Sequence, residues 1–176
     1  MLAGERCLLR AYRADDVGSL PSVAGDWSVV RWMNATFPHP YTPGDARAWV
    51  AKASIEDPTD NFAIEVDGAL AGGIGLRPLA GESLGVAEFG YWLGQRSWGR
   101  GLATEAARLL VRYAFRVRGL RRLEAYVFAP NFASARVVEK SGFRREAILR
   151  EAIVDREGAV MDAWLYAQLR SEATVT

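Results

Sequence analysis

At 176 residues, 50% hydrophobic and 24% charged, the sequence is composed for one globular domain spanning 1–176, which would bury roughly 70% of its unfolded surface. Its apolar runs fall far short of the ~20 residues that cross a bilayer, and its start lacks the charged-then-apolar pattern of a secretory signal. The net charge of +1 conceals two opposed halves, −5 over residues 1–94 and +6 over residues 95–176, which points to an anionic ligand on the second half and a cationic one toward the first.

Arg6 to Arg13 reads as a short strand. It carries the lone cysteine, Cys7, so no internal disulfide can form, and a reducing, cytoplasmic setting is expected. Asp15 to about Trp32 is helical in pattern, with breaks near Pro21 and Gly25. Phe37-Pro38-His39-Pro40-Tyr41 cannot be helical, because each proline pushes its predecessor into extended geometry. Thr42-Pro43-Gly44-Asp45 starts a helix that runs to about Glu56. Phe62–Val66 and Leu70–Leu79 are strands joined by an Asp67-Gly68 turn. Gly72, Gly73 and Gly75 mark close packing or a bulge in the second of them. Val86–Leu93 is the next strand. Leu102 to Val117 is the strongest helix, with Leu102, Ala106, Leu109, Leu110, Tyr113 and Ala114 on one face and Gly119 as its stop. Leu123–Phe128 is a strand, and Pro130-Asn131 opens a short helix ending at Gly142. Phe143–Val154 and Val160–Leu169 form a closing hairpin. About seven strands and four helices in mixed order imply an α/β or α+β sheet covered by helices.

The segment that carries chemistry runs from Leu93 to Glu105, where a strand ends, a glycine-containing loop follows and the strongest helix begins. Amides of a helix's first turn have no partner inside the helix and sit at the positive end of its dipole. Gly99 and Gly101 leave room for a large anion to approach them, so the loop predicts a phosphate or diphosphate cradle. It is not a P-loop, since the required lysine is missing. Nor is it the dinucleotide fingerprint, because Thr104 stands where the third glycine belongs. The pattern Arg/Gln-x-x-Gly-x-Gly/Ala matches without gaps as Arg96-Ser97-Trp98-Gly99-Arg100-Gly101.

Gly90-Tyr91-Trp92-Leu93, Trp98 through Ala106, Pro130-Asn131-Phe132-Ala133-Ser134, Glu139 through Phe143, Gly158, and Asp162 through Tyr166 follow one another in order and spacing. In these residues the chain resembles the GNAT superfamily of acetyl-CoA-dependent N-acetyltransferases, and within it the RimJ/RimL branch, which acetylates N-terminal amines of ribosomal proteins. The resemblance implies a mostly antiparallel seven-stranded sheet in which strand 86–93 splays from strand 123–128. The pantetheine arm would lie in that gap against the backbone of Trp92, Leu93 and Gly94. The diphosphate would rest on the amides of Trp98, Gly99, Arg100, Gly101, Leu102, Ala103 and Thr104. Asn131 would bond the pantetheine arm, and Arg96, Arg100, Arg136 or Lys140 would reach the charged adenosine end. Acetyl-CoA is the implied cofactor, and no metal is required.

Proton transfers need an acid for the leaving thiolate and a base for the amine. Many GNAT enzymes place a tyrosine seven residues after the helix-start asparagine, but here that position is Val138. The RimJ/RimL branch instead has a serine three residues after the asparagine, which is Ser134. Ser134 is either that acid or a helix cap in contact with cofactor. Glu88, on the strand leading to the cofactor, is either the base or a paired strand glutamate. His39, the only histidine, is read as an acceptor-mouth residue or an exposed loop residue. Trp27, Trp32 and Trp49 are read as an aromatic wall for the acceptor or as core.

The acceptor is thus expected to be an amine, of a protein N-terminus or of a small molecule such as an antibiotic, polyamine or amino acid. A non-catalytic acyl-CoA-binding sensor on the same fold is the competing reading. Nucleic acid and membrane partners are not expected, given the near-neutral charge and the lack of interleaved basic and aromatic residues. A homodimer is compatible with the sequence.

Overall fold

The computed structural model describes residues 1–173. Its sheet has eight strands: β1 (Leu2–Ala3), β2 (Leu8–Arg10), β3 (Asn61–Val66), β4 (Ala69–Pro78), β5 (Val86–Leu93), β6 (Arg122–Phe128), β7 (Arg144–Val154) and β8 (Val160–Leu169). Five α-helices accompany them: α1 (Asp16–Ala24), α2 (Trp27–Val30), α3 (Pro43–Ala53), α4 (Leu102–Arg116) and α5 (Phe132–Lys140). The mixed fold expected from the sequence is present, with one strand and one helix more than the pattern indicated. The extra strand is the two-residue β1, too short to show a period. The extra helix arises because the 15–32 segment breaks at Gly25 alone. Pro21 lies inside α1, where it removes one backbone donor. Leu20 and Ala24, one turn apart and fully buried, hold the helix through it.

The sheet order is β1-β2-β3-β4-β5-β6-β8-β7. Every pairing is antiparallel except β5 with β6. That parallel pairing covers only Val86–Glu88 against Arg122–Glu124. Beyond it each strand stays bound to its outer neighbour, β5 to β4 as far as Leu93 and β6 to β8 as far as Phe128. The two strands therefore part in the middle of the sheet, and a gap opens toward their C-terminal ends.

Each face of the sheet has its own core. On one face α4 buries Leu102, Ala106, Leu110 and Ala114 against Ile64, Ile74, Phe89 and Leu123. The predicted apolar stripe of α4 is the one that packs. On the other face α1, α2 and α3 bury Leu20, Ala24, Val29, Ala46 and Val50 with Tyr12 and Trp92. The start of α3 is a capping box, in which Thr42 Oγ1 accepts from Asp45 N–H and the Asp45 carboxylate accepts from Thr42 N–H. Close approach explains Gly73: a Cβ there would stand 2.4 Å from the Tyr12 hydroxyl and 2.6 Å from Trp92 Nε1.

A buried ion cluster ties β2, α1 and β3 together. Arg10 reaches both Asp16 carboxylate oxygens at 2.7 Å and Glu65 Oε2 at 2.5 Å. Both Arg10 and Asp16 are buried. Burial alone would raise the Asp16 carboxyl, but the Arg10 guanidinium and the Arg13 amide more than offset it and hold it below its ordinary value.

Candidate active site

The gap between β5 and β6 leads at one end to the N-terminus of α4. After β5 the chain makes a 3₁₀ turn over Gln95–Ser97 and enters α4 through Gly99 and Gly101, with φ of +73° and +75°. Only glycine adopts these values without strain. A Cβ on Gly99 would meet nothing within 4 Å. Gly101, at the N-cap position, offers no side-chain cap, and the first helical bond runs from Glu105 N–H to Gly101 O. The amides of Leu102, Ala103 and Thr104 thus have no partner among the described residues. This arrangement fits a diphosphate.

Arg6, which the sequence reading did not select, braces this cradle from below. Its Nε donates to Glu105 Oε2 at 2.8 Å and its Nη1 to Arg100 O at 3.0 Å. Burial pushes the Glu105 carboxyl up, but bonds from Arg6 bring it below its ordinary value. Glu105 is therefore ionised and already paired, so its charge does not oppose an anion bound above it. Arg6 lies 99 residues from Glu105 in the chain, and no local pattern connects the two.

The register of β5 decides which peptides face the gap. Gly94 N–H donates to Ala71 O and Leu79 N–H to Val86 O, both at 2.9 Å. In an antiparallel pair the bonded residues alternate. Trp92 and Gly94 consequently turn their amides to β4, whereas Phe89, Tyr91 and Leu93 turn theirs to the gap. Of the three backbone positions expected to meet a pantetheine arm, only Leu93 faces it. The Leu93 carbonyl already accepts from Trp98 Nε1 at 2.6 Å.

Across the gap, Asn131 caps α5, its Oδ1 accepting from Ser134 N–H at 3.1 Å. Its amide nitrogen makes no hydrogen bond among the described residues. The Tyr91 hydroxyl donates to Ser134 Oγ at 3.2 Å, joining β5 to α5 across the opening. Burial raises the Tyr91 pKa, so the phenol stays protonated. The tyrosine sought at position 138 is a valine packed in the core, and a hydroxyl arrives from β5 instead. The motif Gly90-Tyr91-Trp92-Leu93 contained the signal, but only the opposition of β5 and α5 gives it meaning.

Glu88 lies on the other face of β5, directly opposite Arg77 on β4. Arg77 Nε donates to Glu88 Oε2 at 3.1 Å, and a second contact between the two groups makes the pair bidentate. His39 packs on the Trp27 ring at 5.2 Å between centroids, and neither residue lines the cleft. Trp32 and Trp49 do line it. Among the cationic candidates, Arg136 and Lys140 border the cleft, whereas Arg96 and Arg100 do not. Arg100 stands 3.8 Å from Asp67.

The charge split of the sequence does not map onto two sites. Many of the charges are used in ion pairs within and between the halves. Asp16 and Glu65 hold Arg10, and Asp60 holds Arg118 from the opposite half of the chain. One continuous cleft of about 1330 Å³ links the α4 cradle, the strand gap and a mouth formed by the segment after α2, α3 and the β7–β8 hairpin.

The acetyltransferase (GNAT) domain family matches residues 6–144. The chain is 31% identical, over 96% of its own length and 95% of the relative's, to the uncharacterized N-acetyltransferase p20 of Bacillus licheniformis. An acetyltransferase of the GNAT family from Bacillus anthracis superposes with a TM-score of 0.84 at 28% identity, covering 97% of this chain and 99% of that one. Mycobacterium smegmatis RimJ, in complex with CoA-disulfide, superposes with a TM-score of 0.85 at 25% identity, covering 97% and 85%. With its splayed sheet and its glycine cradle at the start of α4, the chain belongs to the GNAT family of acetyl-CoA-dependent N-acetyltransferases and is RimJ/RimL-like within it.

Proposed function

We propose that the chain transfers an acetyl group from acetyl-CoA to a primary amine by direct attack within one ternary complex. The observation that carries this reading is the single cleft running from the α4 cradle through the strand gap to an open mouth. It leaves room for both reactants at once. Cys7, the only cysteine, is buried in the α4 core and does not line the cleft, so it is no carrier for the acetyl group.

When bound, acetyl-CoA supplies an activated thioester. The amides of Leu102–Thr104 hold the diphosphate, with Arg136 and Lys140 at the border. The Leu93 peptide and the Asn131 amide nitrogen align the arm between β5 and α5. Ser134 Oγ, held in place by the Tyr91 hydroxyl that donates to it, gives its proton to the departing sulfur and takes one back from solvent in the open cleft. Glu88 takes the proton of the amine. Arg77, bidentate on Glu88, fixes the carboxylate in place, and the proton passes to it as the new C–N bond forms. Cytoplasmic residence belongs to the same reading and rests on the single reduced thiol.

The RimJ/RimL likeness resides mainly in residues around the cofactor path, which does not read the acceptor. Initial rates measured while both substrates are varied test the proposal. Intersecting double-reciprocal lines are expected. Parallel lines would show an acetyl-enzyme and overturn direct attack, and tight CoA binding with no transfer to any amine would favour the sensor reading.

A further inference from the structure

From the acceptor face of the cleft, and resting on the reading above, we infer that the acceptor is a small primary amine carried on an uncharged aromatic group. Gly90 is the floor of this face. It lies between Glu88 and Trp92 on the pleat, it is exposed, and a Cβ there would meet nothing within 4 Å. Open space therefore stands over β5 where the strand gap reaches the mouth. The walls are aromatic: Trp32, Phe37, Tyr41, Trp49, Trp92 and Phe128 all line the cleft.

These rings come from four separate elements, and two pairs of them meet edge to face. Trp32 and Phe128 stand 6.0 Å apart at 68°, and Phe37 and Trp92 stand 6.1 Å apart at 66°. Such walls accept another ring in the same geometry. The roof is fixed. Asn34 Oδ1 accepts from the amides of Thr36 and Phe37 at 3.1 Å, which closes the segment into a turn. Arg156, from the β7–β8 hairpin, donates to Asn34 O at 2.6 Å and to Phe37 O at 2.5 Å. The cup is therefore preformed and bridged over the top.

The charges of this face cancel and are committed. Asp45, Glu88 and Asp155 oppose Lys52, Arg77 and Arg156. Glu88 holds Arg77, Asp45 holds Thr42, and Asp155 accepts from the amides of Glu157 and Ala159. The remaining cation, Lys52, lies 5.7 Å from the Trp49 ring centroid. Asp45 and Asp155 keep their charge but are held by their own turns and balanced on this face by Lys52 and Arg156, which disfavours polyamines and aminoglycosides. A peptide would bring further amides and carbonyls against largely aromatic walls that offer them few partners. One amine on one flat apolar body satisfies both conditions.

Acetyl transfer is to be measured with 2-phenylethylamine, tryptamine, spermidine, an aminoglycoside, and peptides with N-terminal serine or phenylalanine. Amine binding to the CoA-loaded protein is followed separately by tryptophan fluorescence. Both aryl amines should exceed spermidine and the peptides by at least about 100-fold in kcat/KM. Gly90→Leu should raise the KM for the aryl amines by at least about tenfold with CoA affinity unchanged, and Trp32→Ala should act in the same direction. Preference for spermidine, the aminoglycoside or a peptide would overturn the inference and leave amine acetylation standing. Aryl-amine binding that Gly90→Leu abolishes, without turnover, would support the cup and overturn the catalytic reading. Absence of aryl-amine binding would overturn the cup.

Discussion

Gly99→Glu is expected to abolish acetyl-CoA binding while leaving the fold intact. Gly99 has φ of +73°, so any side chain there costs about 1–2 kcal/mol of backbone strain. It adds no clash in the protein itself, since nothing lies within 4 Å of its Cβ. The new carboxylate would sit near the unpartnered amides at the start of α4, which returns roughly 0.3–1 kcal/mol and keeps the variant folded. Against a diphosphate the same carboxylate is a like charge. At about 4 Å and an effective dielectric of about 20, each such pair costs about 4 kcal/mol, or roughly three orders of magnitude in affinity. Gly99→Ala carries only the strain and serves as the reference. Calorimetric titration with CoA, beside a thermal melt of each variant, separates the terms. The penalty should shrink in ~1 M salt, where the Debye length falls to about 3 Å. A Gly99→Glu protein that melts normally and binds CoA within tenfold of Gly99→Ala would refute the cradle.

Ser134→Ala should lower kcat by about 100-fold, the lower end for a general acid, with little change in CoA affinity; an affinity loss alone would make Ser134 a binding residue. Tyr91→Phe should lower kcat about fivefold, the equivalent of one hydrogen bond, without moving CoA affinity. Arg10→Met leaves Asp16 buried without its partner and should cost about 3–5 kcal/mol in a urea titration. Because the Asp16 pKa is lowered on folding, its contribution is complete above the unfolded value of about 3.9 and is lost as pH falls through the folded value. Asp16→Asn, though less stable, should therefore lose stability less steeply than the wild type below about pH 4; equal slopes would assign acid unfolding to other carboxylates. The Cys7 thiol is pushed up to about 11, first by burial and then by the charge of Glu105. A thiol reagent at pH 8 should react slowly with the native protein and completely in urea, and rapid native labelling would contradict the burial.

The cradle was legible because its parts are contiguous. Strand end, glycines and amphipathic helix lie within Leu93–Glu105 and continue into one regular apolar stripe. Asn131 as a helix start was legible for the same reason, since a cap and its helix are neighbours in the chain. Long-range partnerships left no such mark. The Tyr91–Ser134 contact spans 43 residues, the Arg6–Glu105 brace 99 and the Arg156 bridge to Phe37 119. The net charges of the two halves were read as two ligand sites, but one cleft draws on both halves, and ion pairs cross between them in both senses, Arg118 with Asp60 and Arg6 with Glu105.

By itself, then, the sequence determined most of the order of elements, the glycine turn into α4 and the family, because each rests on residues close together in the chain. Tertiary structure alone decided where β5 and β6 part, which peptides of β5 face the gap, and which rings line the mouth of the cleft. A strand's outward side is set by its register with a neighbour, and a cup is set by rings from four separate elements. The same separation explains why the glycine turn could be read along the chain and the aromatic mouth only in space.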